Sequence, residues 1–279
     1  MQNTLIRVFL IMFLCINYFM QGFCQYSLNS YAHNGKSFAL GNGGIALDNN
    51  FNHNQNPAQL AFLAGHQIEV FSTNYFFVKN LFLYSANMQY KIGINDGLGI
   101  QFVHDGNDIL NQNLFQLSYG RRLGKASGIG LSGNYTLASG VENFSQSSVD
   151  FNFGLYHQLK PYLNIALTAR NPFPLNNNSN FSLPSTFTLG ILYKAYKNVS
   201  IMTELDKTSY RDIDVRVGIL YNVAKQLELY SAVSTGSKKL SAGVSYILKN
   251  NIEITTAIQM HQVLGISPGI SLKYKIPKN

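Results

Sequence analysis

The residues in this chain best suited to chemistry are three histidines and a scatter of carboxylates. His104-Asp105, His157 and His261 are the candidates for general-base work, each near the end of an alternating segment. A hydrolase would need a nucleophile on a G-x-S-x-G elbow, and a metalloenzyme a pair of histidines at ligand spacing. The chain carries neither pattern, so the reading is non-enzymatic, with no cofactor and no metal. Gly128-Ile129-Gly130 is not a nucleotide loop, because no helix follows to receive a phosphate. His33, His53 and His66 lie in an irregular N-terminal stretch and read as solvated or interfacial side chains. What remains is electrostatic. Asp150, Glu204, Asp214, Arg216, Glu228 and Glu253 each fall on the polar face of an alternating segment, where an enclosed wet interior would hold them. Adjacent strands offer partners, so structural pairing is expected, with Arg216 facing Glu204 or Glu228. Lining an aqueous path is the alternative.

The elements that position these charges are short strands. In 212–221, Ile213, Val215, Val217, Ile219 and Tyr221 share one face while Asp214, Arg216 and Gly218 share the other; Ile252, Ile254 and Ile258 alternate likewise with Glu253, Thr255 and Gln259. Strand side chains point to opposite faces with period two, so sustained alternation implies a wall with lipid on one side and water on the other. About fourteen such segments run from near residue 67 to the C-terminus. Their connections look alternately short, as at Leu159-Lys160-Pro161-Tyr162, and longer, as in 105–112 and 171–183; the short Val78-Lys79 connection breaks that rule. The fold class expected is all-β: a transmembrane antiparallel β-barrel occupying 67–279, preceded by a periplasmic or barrel-plugging segment over 25–66.

Composition agrees. Apolar residues make up 46% of the chain, yet no stretch after the N-terminus reaches the roughly eighteen consecutive apolar residues of a membrane helix. The 17 tyrosines and 19 phenylalanines, among them Tyr75, Phe76, Tyr84, Tyr119, Tyr246 and Tyr274 near strand ends, would form the aromatic girdles of a barrel. The formal charge of +8 is spread over singly placed lysines and arginines, which argues against nucleic acid as a partner. Met1 to Cys24 pairs one basic residue, Arg7, with the apolar run Val8 to Ile16 and reads as a cleaved signal peptide. Removing it removes both cysteines, Cys15 and Cys24. Outer-membrane lipid is then the first partner expected.

One stretch is more specific. Leu40-Gly41-Asn42-Gly43-Gly44-Ile45-Ala46-Leu47-Asp48, followed by Asn56-Pro57-Ala58-Gln59-Leu60 just before the first strand, resembles the N-terminal signature of the FadL-type outer-membrane superfamily, and within it the PorV/PorQ-like proteins of the type IX secretion system. The resemblance extends to Leu183-Pro184, Leu189-Gly190, the strand from Asp214 to Tyr221, and 261–265. It implies fourteen strands in the cell outer membrane, and a non-enzymatic role in protein secretion or cell-surface attachment with secretion-system proteins or secreted cargo as partners. The alternative it implies is FadL-like transport of small hydrophobic compounds. Gly41, Gly43, Gly44, Asn56, Pro57 and Ala58 are the marker residues. The inward faces read as mostly Gly, Ser, Thr, Asn and charge, with Leu220, Tyr230 and Ile247 as occasional apolar members, which favours partner binding over hydrophobic transport.

Overall fold

A computed structural model of the chain describes residues 33–48, 53–141, 144–173, 183–209, 211–236, 238–249 and 251–277. The segment read as a signal peptide lies outside them. Fourteen antiparallel strands follow in order: β1 (Gln67–Asn74), β2 (Phe82–Lys91), β3 (Asp96–Gly106), β4 (Leu110–Leu123), β5 (Ser127–Gly140), β6 (Ser145–Lys160) and β7 (Leu163–Arg170). The second half comprises β8 (Thr186–Tyr196), β9 (Val199–Thr208), β10 (Asp214–Ala224), β11 (Leu227–Ser234), β12 (Lys239–Leu248), β13 (Ile252–His261) and β14 (Gly265–Lys275). Each strand pairs with its sequence neighbours, and β1 pairs with β14 to close the barrel. Closure leaves no strand edge with unpaired backbone groups, which is the condition for a sheet to stand in hydrocarbon.

The alternation decides the faces. In β1 the outward Ile68 and Val70 are 40% and 49% exposed, whereas Gln67 and Glu69 are 8% and 3% exposed. Apolar outside and polar inside is the reverse of a soluble sandwich, and it marks the outer surface as lipid-facing. Gln67 and Lys275 lie opposite one another at what we term the near end. Tyr90, Tyr119, Tyr193, Tyr246 and Tyr274 face outward toward that end, as an interfacial girdle would.

Two features differ from the sequence expectation. First, β1 stops at Asn74, because Tyr75–Phe77 forms a 3-10 turn in which Phe76 and Phe77 take φ of 56° and 54°. The Asn74 amide donates to the carbonyls of Val78 and Leu81 at 2.9 and 3.0 Å and holds that turn. The connection is therefore 75–81, which removes the anomaly at Val78-Lys79, and it turns Tyr75 and Phe76 into the interior cluster instead of a girdle. Second, β3 and β4 extend so far that only 107–109 joins them; there Asn107 Oδ1 accepts from the N–H groups of Ile109 and Leu110, each at 3.0 Å. The far-end connections are thus mostly short, with 171–185 the extended one.

The interior is filled from the N-terminal side. Helix α1 (Gly35–Ala39) and a 3-10 helix (Pro57–Phe62) carry mostly buried residues. Phe38 packs on Phe71 of β1 with ring centroids 5.4 Å apart, and the 3-10 helix lies against β3 to β6.

Candidate functional site: a latched plug in a polar lumen

The plug is built from local turns that the sequence encodes. Asn34 caps α1 by accepting from the N–H of Ser37 at 2.8 Å, an arrangement that satisfies one orphan donor of the first turn. The Ser37 hydroxyl then donates to the carbonyl of Gly43 at 2.6 Å, folding the chain back. Gly44 has φ of 122°, open in practice only to glycine. This turn aims the N–H groups of Gly44 and Ile45 at one carboxylate oxygen of Glu204 on β9, at 2.7 and 2.8 Å. A Cβ on Gly43 would stand 2.7 Å from the Met202 methyl and 2.9 Å from the other Glu204 oxygen.

Glu204 also binds Arg216 at 3.3 Å, directly opposite it on β10. The guanidinium reaches Asp206 at 3.1 Å and Asp214 at 3.3 Å, and Asp206 takes Arg170 at 3.2 Å. A second latch joins Lys36 to Glu228 at 2.6 Å and Glu253 at 3.2 Å, with Lys273 on Glu253 at 2.5 Å. Glu69 accepts from the N–H of Gly35 at 3.2 Å. At a third, Asp48 accepts from Tyr156 and Asn164, each at 2.6 Å, and pairs with Lys194.

The base of the plug is the Asn-Pro-Ala turn. Asn56 Oδ1 accepts from the N–H of Ala58 at 3.0 Å, while its amide donates to the carbonyls of Ile45 at 2.9 Å and Leu155 at 3.3 Å. Pro57, with no N–H to satisfy, opens the 3-10 helix. Gly130 and Gly154 give this turn room: a Cβ would meet the Pro57 carbonyl carbon at 2.3 Å or Asn56 Oδ1 at 2.2 Å.

The six charges thus divide. Glu204, Asp214 and Arg216 share one cluster, Glu228 and Glu253 meet at Lys36, and Asp150 stands apart, accepting from Asn134 at 2.6 Å. Of the two partners expected for Arg216, Glu204 is the one found. Glu228 lies opposite Asn222 and turns to the plug instead. Sequence reasoning missed Lys36, Asp48, Lys194 and Lys273. Their only signal was being charged residues on segments otherwise destined for the interior.

The histidines assemble no catalytic group. His104 bonds Asn113 at 2.9 Å and His157 bonds Ser127 at 2.8 Å, while His261 caps the 262–264 turn. Asp105 points inward, on the face opposite its neighbour His104. Among the described residues no three His, Cys, Asp or Glu side chains are placed to hold a metal ion.

His53, in the plug, is fully buried and bonds Gln89 at 2.8 Å. Burial, helped by His33, pushes its pKa down to about 3. A depressed histidine is neutral in the folded state, so its contribution is complete above about pH 6.5 and is lost as pH falls toward 3, at about 1.4 kcal/mol per unit. Deuterium exchange of the plug amides, corrected for the intrinsic pH dependence of exchange and compared at pH 7 and pH 4.5, is expected to accelerate at the lower pH in the wild type and much less in His53→Gln.

The lumen also carries an apolar inlay not expected from sequence. Phe71, Leu83, Val103 and Leu114 point inward from β1 to β4, joined by Tyr75 and, partly buried, Phe76 and Leu81. No family model matches the chain, and no curated protein matches it in sequence. Solved structures do match. The toluene transporter TbuX of Ralstonia pickettii superimposes with a TM-score of 0.72 at 13% identity, covering 90% of this chain and 100% of that one. The CymD monoaromatic hydrocarbon channel gives 0.71 at 12% identity, with 90% and 100% covered. A FadL homologue of Pseudomonas aeruginosa gives 0.69 at 10% identity, with 87% and 98% covered. The fold is that of the FadL-type barrels. Within this fold the Gly-Asn-Gly-Gly turn and the lumen charges form one mechanical unit, because Glu204 binds both the turn and Arg216.

Proposed function

We propose that the protein is an outer-membrane transporter that passes small hydrophobic compounds, of the aromatic hydrocarbon type named for its structural neighbours TbuX and CymD. The observation that carries this reading is the inlay of Phe71, Leu83, Val103 and Leu114, an apolar surface inside an otherwise polar barrel. These side chains are 2% exposed or less and Phe38 of the plug packs on Phe71, so an apolar solute reaches them by displacing the plug and then gains about 25 cal/mol per Å² of apolar area removed from water. The near end, with both barrel termini, corresponds to the periplasmic side of such barrels. Cells carrying the protein are expected to take up labelled toluene several-fold faster than cells lacking it, and Val103→Asp to abolish the difference. Equal uptake with and without the protein sinks the reading.

The reading as a PorV/PorQ-like component of type IX secretion rests on a different observation. The far-end connections expose Phe77 at 70%, Ile109 at 63%, Phe173 at 74% and Val263 at 70%, an apolar rim suited to a protein partner. Under this reading loss of the protein halts secretion of cargo and leaves hydrocarbon uptake unchanged.

A further inference from the structure

The lysines that stand singly in the sequence fall into order on the barrel. At the near end the hairpins β2–β3, β4–β5 and β6–β7 carry Lys91, Lys125 and Lys160, each in the turn or at the strand end that enters it. The hairpins β8–β9, β10–β11 and β12–β13 carry Lys197, Lys225 and Lys249 in their turns, and Lys275 ends β14 to complete the circuit. Every second strand thus brings a lysine to the same rim, and all but the half-buried Lys91 are exposed. With strands about 4.8 Å apart and tilted by about 40°, consecutive lysines stand about 13 Å apart around the circumference.

Acid is scarce at this rim. Among the described residues its outward-facing acid is Asp96, which accepts from Tyr119 and pairs with Arg121 at 3.6 Å. Glu69, Glu228 and Glu253 begin their strands at a similar level but face the interior, where Gly35, Lys36 and Lys273 engage them. The far end mixes signs: Asp108 and Asp212 lie among Lys79, Arg211 and Lys238. The unbalanced positive charge of the wall is therefore gathered at one end.

The depth of the ring is set by its neighbours. Tyr90, Tyr196 and Tyr274 directly precede Lys91, Lys197 and Lys275, and Tyr162 follows Lys160 by two positions; all four tyrosines are exposed. Such rings sit where hydrocarbon gives way to headgroups. A lysine one or two residues away lies at the level of the lipid phosphates, and its flexible stem lets the ammonium reach them.

We propose that this ring binds the anionic phospholipid headgroups of the leaflet around the near end, those of the phosphatidylglycerol type. Its even spacing selects lipid over protein, because a folded acidic partner covers one sector of a rim whereas a leaflet meets every lysine at once. A lysine at a membrane surface favours anionic lipid by about fivefold. The ring requires only that the near end lie at a bilayer interface, whatever solute the lumen passes.

The test is electron paramagnetic resonance of the full-length protein in phosphatidylcholine vesicles, with chain-matched spin-labelled phosphatidylglycerol or phosphatidylcholine as the probe. At low salt the immobilised fraction is expected to favour phosphatidylglycerol at least twofold. That preference should vanish at about 1 M NaCl, where the Debye length is about 3 Å. K125Q/K160Q/K197Q/K225Q should bring the ratio of the two lipids close to one, whereas K79Q/K207Q, at exposed far-end positions, should leave it unchanged. Heat-modifiable mobility on gels verifies that each variant is a folded barrel. Equal immobilisation of both lipids by the wild type, a preference indifferent to salt, or one that survives the near-end change or falls as far in K79Q/K207Q overturns the proposal. Wild-type protein that sediments with peptidoglycan while showing no lipid preference would assign the ring to the cell wall instead.

Discussion

Replacing Glu204 by alanine releases the plug. The change strips Arg216 of a buried partner and leaves the N–H groups of Gly44 and Ile45 without an acceptor. Each of the two orphaned buried donors costs about 1–3 kcal/mol. Arg216 retains Asp206 and Asp214, which holds the wall cluster together, so the loss falls on the plug. The expected result is a lowered urea midpoint for protection of Lys36 against trypsin, while the barrel keeps its heat-modifiable mobility. Glu204→Gln, which keeps an acceptor oxygen, should lose less. Protection unchanged in Glu204→Ala would show that Lys36 and Asp48 suffice to hold the segment.

The second large effect is steric. Valine at position 130 places a Cβ 2.3 Å from the carbonyl carbon of Pro57 and 2.4 Å from the amide nitrogen of Ala58. Both are backbone atoms, so no rotamer change relieves the clash, and the 3-10 helix must lift from β5. Overpacking a tight site costs about 1–3 kcal/mol even where side chains can adjust. Gly130→Val is expected to open the base of the plug to protease and to raise the bilayer conductance severalfold. Gly133→Val is the control: it lies on the same strand, where the nearest atom to an added Cβ is a Phe151 ring carbon at 3.6 Å. Equal behaviour of the two variants would exclude close approach as the role of Gly130.

The wall was legible in the sequence because its two environments differ so sharply. Val217, Ile219 and Tyr221 had to face lipid once Arg216 and Gly218 faced inward, and the same logic located all fourteen strands. Legibility failed where that contrast fades. At Val70-Phe71, Phe102-Val103 and Leu114-Phe115 both faces are apolar, so period two is silent and the inlay went unseen. The Tyr75-Phe76-Phe77 run has strand-forming residues, yet positive φ at two of them makes a turn. The latches were invisible for another reason. Glu204 and Gly44 are 160 residues apart and Lys36 and Glu228 are 192 apart, and no local pattern encodes such pairings. Arg216 with Glu204 was predictable because adjacent strands bring them together.

Those separations also bear on the order of biogenesis. The amide of Gln259 donates to the carbonyl of Phe38 at 2.8 Å across 221 positions, so α1 has no native seat until β13 exists. Contacts this remote form late, since the chain entropy of bringing them together is spent before they give anything back. Helix α1 leaves the ribosome ahead of every strand and is therefore the last of these elements to come to rest. Until then Phe38, Leu40 and Ile45 have no apolar seat, a standing invitation to misassembly that ends when the cylinder is ready to receive them.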